Sequence, residues 1–343
     1  MSYFGIDIGS YAIKFVKADG SGDSAKIKKF GIVYNPVGQI LPSDQHQFDQ
    51  LVVAIKNGIR EFSLSGLNCH LALPGKQAYI SIVSMPVLSD AELSSAIRWE
   101  AEQHIPVSLS EVNFEYDVIY RPPKDSSEDV MQVLMVGAPK VTVDRYLELL
   151  EKVGIESIGL EPEVISLMRA FFPEKVDKLP VTTLICNLGA LATSFLVVDK
   201  GRISVAHSAP IGSLALTRAL EKGLSLDPSN SEEYKRTYGL EPEQLEGKVR
   251  TVLLPVFDAL IREIRKTIQF YVSKSPGTNM VSRVLMCGGG ANLPGLTAYM
   301  VEVLSTEVIV ANPFSRFEVD SKITLPEDVA SYGVTVGLAT KEF

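Results

Sequence analysis

The sequence predicts an α/β protein of two similar domains facing one another, one of them interrupted by a small α/β insert. A strand, turn, strand, turn, strand order at the N-terminus returns half a chain later. Asp7-Ile8-Gly9-Ser10 falls over Asn187-Leu188-Gly189-Ala190, 180 positions on. A repeat at half the chain length implies two copies of one architecture. Between the copies, strands and helices alternate from Tyr79 to Val153, the pattern of a subdomain packed on a larger one. The length of 343 residues suits two domains or more and a large core.

The chain opens FGIDIGSYAIKF. Tyr3 to Asp7 read as an apolar strand, Gly9 and Ser10 as a turn, and Ala12 to Val16 as the returning strand. Asp7 puts a carboxylate at the mouth of this hairpin. The tight turn exposes backbone N–H groups, Ser10 adds a hydroxyl and Lys14 a cation. Together these are the parts of a phosphate cradle, with Asp7 placed to hold a water or a magnesium ion. An ordinary β-turn in which Asp7 caps its own backbone is the alternative.

A strand at Lys28–Val33, an amphipathic helix at Phe48–Phe62 and a strand at Asn68–Leu73 follow, stopped by Pro74-Gly75. The insert reads as strand Tyr79–Ser84, helix Asp90–Gln103 with Trp99, strands Glu111–Tyr120 and Val130–Ala138, and helix Val141–Val153. Pro122–Asp129 reads as a hairpin connection, and Ile80–Val83 and Val133–Val136 as strands with exposed edges. From Thr183 the second copy begins: a strand, a turn at Gly189, a strand through Val198, a Lys200-Gly201 turn and a strand from Ile203. Two opposed turns can grip a polyphosphate from both sides. Helices then occupy Leu214–Lys222, Ser231–Tyr238 and Val249–Val272, the last holding Pro255 near the start of a new helix or at a kink. Val284–Cys287 is a short strand running into GGGANLPGL, followed by helices at Thr297–Leu304 and Ala330–Ala339.

Composition excludes several functions. Acidic residues number 41 against 33 basic, a net charge of -8 with no Lys/Arg block, which disfavours nucleic acid. The hydrophobic fraction is 46%, yet no run approaches the roughly 18 apolar residues of a membrane helix. MSYFGIDIG lacks the basic and apolar order of a signal peptide. Cys69, Cys186 and Cys287 stand singly in apolar runs, as reduced thiols of a cytoplasmic protein do. CxxC and HExxH are absent and the four histidines are dispersed, so no structural metal is expected.

Gly288-Gly289-Gly290, between a strand and a helix, is neither a Walker A loop, since no GKS or GKT closes it, nor a dinucleotide fingerprint. Consecutive glycines let a flat ring or sugar lie close to backbone. A turn permitting tight contact between helix and strand is the alternative reading.

In order, Asp7–Lys14, Asn187–Ser194 and Met286–Leu296 resemble the first phosphate, second phosphate and adenosine loops of the actin-like ATPases. More closely, the chain resembles the PilM family of type IV pilus assembly, with the FtsA division proteins next. ELSSAIRWEAEQHIPVSLSEVNFEYDVI and VGAPKVTVDRYLELLEKVGIESIGLEPEVISLMRAF carry that likeness, which covers nearly the whole chain. It implies an actin-like fold of two facing ribonuclease-H-like domains. Residues 1–76 and 160–180 form the first domain, with 77–159 as an FtsA/PilM-type insert. Residues 181–213 and 282–325 form the second domain, 214–281 a helical subdomain over the nucleotide, and 326–343 a helix returning to the first domain.

The resemblance implies ATP and Mg2+ as cofactors. It places nucleotide contacts at Gly9, Ser10, Tyr11, Lys14, Gly189, Ala190, Gly212, Glu232, Lys235, Gly288, Gly289, Gly290 and Asn292, and metal contacts at Asp7 and Asn187. Glu232 and Lys235 match an ExxK helix that leans on ribose and adenine, a solvated surface helix being the other reading of EEYKRTYG. Asn187 replaces the usual second aspartate, so an amide oxygen would meet the metal or its water without charge or base. Glu161 falls where kinases of the fold carry a catalytic base, or it merely pairs with a backbone N–H. By resemblance the protein is a cytoplasmic scaffold at an inner-membrane pilus platform, or the similar type II secretion machine, with at most slow ATPase turnover. It would be held there by the N-terminal tail of a PilN-like bitopic membrane protein in a groove of the insert and first domain, beside other platform proteins and with possible self-association. A division scaffold is the rival, although the chain stops at GVTVGLATKEF without a membrane-surface helix. A true kinase or ATPase of the same fold is the second rival.

Overall fold

The computed structural model describes residues 3–123, 125, 128–173, 181–274 and 280–342. The expected connection at 122–129, the segment 174–180 and the end of the 214–281 subdomain therefore lie partly outside the described residues.

The first lobe opens with β1 (Tyr3–Ile8), β2 (Ala12–Asp19), β3 (Lys26–Tyr34), α1 (Gln45–Glu61) and β4 (Asn68–Leu73). Asp44 caps α1 by accepting from the Gln47 N–H. The insert follows as β5 (Tyr79–Pro86), α2 (Asp90–His104), β6 (Val112–Tyr120) and β7 (Val130–Pro139). Ser89 and Glu92 form a reciprocal capping box at the start of α2. The chain re-enters the first lobe through α3 (Lys140–Val153), β8 (Ser157–Pro162) and α4 (Glu163–Phe171).

The second lobe comprises β9 (Thr183–Leu188), β10 (Thr193–Asp199), β11 (Arg202–Ala209), α5 (Ser213–Leu224), α6 (Pro228–Tyr238), α7 (Lys248–Lys274), β12 (Arg283–Cys287), α8 (Leu296–Leu304) and β13 (Glu307–Val310). A short β14 (Glu318–Val319) and α9 (Gly333–Ala339) close the chain. Helix α7 runs through Pro255 as one element.

The strand orders establish the repeat. The first sheet runs β14-β3-β2-β1-β4-β8 and the second β11-β10-β9-β12-β13. In both, a three-stranded antiparallel meander continues into two parallel strands. Even the irregularities match, because the register slips between Lys17 and Ala18 in β2 and between Val197 and Val198 in β10, positions 180 apart. Short parallel strands β8 and β13 were not legible in the sequence as strands. Each is a brief edge whose identity comes from pairing with β4 or β12.

Both sheets are covered on both faces, as their nearly continuous apolar strands require. On the outside, α1 and α3 cover the first sheet, and α5 to α8 the second. On the inside, α9 packs on β1 and β2, α4 packs with apolar residues of β9 and β10, and the two helices meet. The contact is tight enough that a Cβ added at Gly337 would lie 1.8 Å from the Ser166 carbonyl oxygen.

Two segments near the expected boundaries pack into the first lobe. Tyr146, Leu149, Leu150 and Val153 of α3 join Phe48, Leu51 and Ile55 in the first-lobe core. The insert's own core is built from β5, α2, β6 and β7. Phe314 and Phe317 already pack with Val16 and Ile27, so the chain returns to the first lobe before residue 326. A further correction concerns edges. The insert sheet runs β5-β7-β6, which makes Val133–Val136 central rather than exposed. Strand β5 is an outer strand, but Ile80 and Ile82 pack with Leu196, Val198 and Ile203 of the second lobe. The Arg202 guanidinium also lies 3.3 Å from the Tyr120 ring centroid. The insert therefore touches both lobes.

Replacing Gly337 with Ala forces α4 and α9 apart, and overpacking of this kind costs about 1–3 kcal/mol or more. Urea unfolding of Gly337→Ala against wild type measures this. Unchanged stability would mean that the helix crossing is not rigid.

Candidate functional site

The two hairpin turns and the glycine run meet at one cleft. It encloses about 860 Å³, within the roughly 300–1,000 Å³ of small-ligand sites. Asp7, Gly9, Ser10, Tyr11 and Lys14 line it from the first lobe, and Asn187, Gly189, Ala190, Glu232, Lys235, Gly288, Gly289, Gly290 and Asn292 from the second. Two predicted residues do not line it. Gly212 lies behind the second turn, where a Cβ would stand 2.3 Å from the Ala190 carbonyl oxygen. Glu161 is held elsewhere, as described below.

Each turn is shaped by the same bond. Gly9 N–H donates to the Ala12 carbonyl at 3.0 Å and Gly189 N–H to the Ala192 carbonyl at 3.0 Å. The antiparallel register then sets Asp7 opposite Lys14, with Lys14 Nζ 3.7 Å from Asp7 Oδ2. It sets Asn187 opposite Ser194 in the second hairpin. Only the first turn thus carries an opposed charge pair. The Asn187 Oδ1 accepts from the Cys287 thiol at 3.7 Å, a contact that orients the amide.

Glu163, which sequence reasoning missed, lies in this cleft and begins α4. It accepts from the Gly75 N–H at 3.1 Å and from the Ser194 hydroxyl. Burial raises its pKa, and the nearby Asp7 charge adds to the effect. Burial likewise raises Asp7, against the pull of Lys14. Two half-buried carboxylates that repel one another, with an amide and a hydroxyl across the cleft, form an oxygen-rich set suited to a hard divalent cation. The available signal was positional: an acid at a helix start, just beyond the carboxyl end of a parallel strand.

Glu161, two residues earlier, points the other way. Its carboxylate accepts from Ser166 Oγ at 2.6 Å, Arg169 Nη1 at 2.7 Å and Lys341 Nζ at 3.0 Å. Burial opposes its ionisation, but the Arg169 pair outweighs this and holds the pKa down to about 2. Outside the cleft lining and engaged by an arginine, a lysine and a serine, Glu161 is placed here as a structural ion-pair partner. His70 approaches Glu161 Oε2 at 3.7 Å, yet burial lowers its pKa to about 4, so the contact is with a neutral ring at physiological pH.

The ExxK pair is also differently engaged. Lys235 Nζ donates to Glu232 Oε2 at 2.6 Å and Thr217 Oγ1 at 3.0 Å, while Glu232 Oε1 accepts from Arg236 Nε at 2.9 Å. The pair joins α6 to α5 and forms a wall of the cleft. Asn292 reaches across to Asp328 at 2.7 Å. Gly289 is the exception to all this filling: a Cβ there would meet nothing within 4 Å. Gly288, at φ +84°, turns the chain so that the run faces the cleft.

Two lobes of one repeated topology, a helix pair between them and a cleft closed by three loops define the actin-like ATPase fold. The chain belongs to the family described as type IV pilus assembly protein PilM, which matches residues 5–343. A solved PilM-PilN type IV pilus biogenesis complex contains a chain 24% identical, with TM-score 0.82 over 99% of this chain and 98% of that one. Ethanolamine utilization protein EutJ from Carboxydothermus hydrogenoformans is 13% identical, with TM-score 0.56 over 99% and 89% of the two chains. MreB 5 of Spiroplasma citri, solved bound to AMPPNP, is 11% identical, with TM-score 0.54 over 98% and 94%. No helix among the described residues is long and apolar enough to cross a membrane.

The Glu161 cluster predicts an acid limb. A depressed carboxylate pKa contributes stability above the unfolded value near 4.5 and loses it as pH falls toward about 2. Neutral, buried His70 adds a loss beginning below its unfolded value of 6.5. Arg169→Met is expected to cost about 3 kcal/mol at pH 7 and to flatten the decline between pH 4.5 and 2, read by urea unfolding across pH. An equally steep decline in the variant would remove the pair as its cause.

Proposed function

We propose that this protein is an ATP-binding scaffold of a type IV pilus assembly platform. Nucleotide joins its lobes, and its insert with the adjoining first lobe holds the cytoplasmic N-terminal tail of a PilN-like bitopic membrane protein. The open space over Gly289, flanked by two hairpin turns, is the observation that carries the nucleotide half. Because Gly9 and Gly189 spend their N–H groups closing the turns, phosphate falls to Ser10, Tyr11 and Ala190 and to the Lys14 cation. Asp7, Glu163 and Asn187 would hold Mg2+, which supplies charge neutralisation between the phosphates. Gly289 leaves room for the nucleoside, beside the wall of Glu232, Lys235 and Asn292.

Glu163 takes the place proposed for Glu161 as the acid nearest a reacting water. Its engagement with Gly75 and Ser194 fits a conformational ligand with slow turnover rather than a rapid enzyme. The type II secretion platform is the similar setting for such a scaffold. Attachment to the cytoplasmic face of the inner membrane would come through the partner. The tail would lie in the groove between insert and first lobe or extend the outer strand β6, which turns Glu115, Tyr116 and Asp117 outward.

Isothermal titration with ATP and magnesium tests the first half. Wild type binds, Lys14→Ala weakens binding by about tenfold, and Gly289→Val blocks it while leaving the stability of the free protein unchanged, since its side chain enters open space. Absence of binding to wild type, or equal binding by all three, removes ATP from the reading.

Fluorescence anisotropy tests the second half, using the cytoplasmic N-terminal peptide of a PilN-like protein from the same organism. Ordering the tail has an entropic cost, so affinity on the order of micromolar is expected. Binding no better than a scrambled peptide, with and without ATP, ends the tether proposal.

A further inference from the structure

The lobes are joined across the cleft at two depths. At the floor, Gly288 N–H donates to the Ala330 carbonyl at 2.9 Å, Asn292 to Asp328 at 2.7 Å, and Ser194 to Glu163. At the mouth, Arg236 Nη2 of α6 donates to Tyr11 Oη of the first turn at 2.9 Å, joining residues 225 apart in sequence. Both residues line the main cleft and also an outer vestibule beside it, so their contact is part of the wall between the two, with Tyr34, Leu214 and Glu232.

We propose that Arg236 and Tyr11 form a bar across the mouth of the cleft, whose opening sets the rate at which ligand enters and leaves. The proposal rests on the nucleotide reading for the identity of that ligand. Each half of the bar is fixed to its own lobe. Arg236 is anchored through Nε to Glu232, which Lys235 and Thr217 hold in turn. The Tyr11 ring lies 4.7 Å from that of Tyr34 on β3. Burial pushes the Tyr11 phenol up to about 12, so it stays protonated and the bond is one of cation to neutral oxygen. The Arg236 side chain is 61% exposed, so water competes for this bond and thermal opening is easy.

Release of a fluorescent ATP analogue, chased with ATP in stopped flow, measures the bar. Tyr11→Phe and Arg236→Gln should each speed release about two- to tenfold, the range of one such hydrogen bond. The double variant should match the singles, because both lose the same bond. Unchanged rates, or effects that multiply, overturn the proposal. A second measurement needs no nucleotide. Spin labels at Val53→Cys and Val301→Cys report the distance between lobes, since both positions are exposed and the native cysteines are buried. The distribution should broaden toward longer distances in Tyr11→Phe. An unchanged distribution in free protein overturns the bar whether or not ATP binds, whereas a broadened one without ATP binding to wild type sinks only the nucleotide reading.

Discussion

The crossing of α4 and α9 is the constraint on which the molecule depends. Each helix covers the inner face of a different sheet, and the two meet where Gly337 presents bare backbone to Ser166. Arg169 of α4 donates to both the Gly337 carbonyl and Glu161, and Lys341 returns to the same carboxylate. Tyr3 of β1 closes the group on the Lys341 carbonyl at 2.6 Å. Sterics and a paired buried charge therefore fix one crossing geometry. Because α4 begins at Glu163 and the approach to α9 includes Asp328 and Ala330, that crossing also places the floor of the cleft.

Duplication explains the shape of the site, and divergence explains its chemistry. The same meander gives two turns closed by the same glycine bond, aimed at one space. Their charges differ: Asp7 faces Lys14 on one side, while Asn187 faces Ser194 on the other. The second lobe thus contributes polar but uncharged groups at its turn. The acid missing at Asn187 has a counterpart in Glu163, supplied by the helix between the sheets.

The insert is also more than an appendage of the first lobe. The loop containing Pro74 to Gln77 lines the cleft and leads directly into β5, whose partly buried Ile80 and Ile82 pack against the second lobe. Relative motion of the lobes must move or shear this seam. The insert is consequently in mechanical contact with the cleft.

The sequence by itself determined the repeat, because alternating apolar strands and turn glycines are local signals that recur at a fixed offset. It determined the three loops for the same reason, and Asp7, Lys14 and the glycine run stand where those signals place them. Which core receives α3, and where the last strand pairs, were decided by packing: an amphipathic helix shows that it has an apolar face, not which core receives it. The choice between Glu161 and Glu163 was likewise tertiary. Both acids flank Pro162 at the same strand-to-helix junction, and local sequence is nearly blind to which of them meets Arg169 and Lys341. Only the helix crossing brings those cations to Glu161, saturates it, and leaves Glu163 facing the cleft.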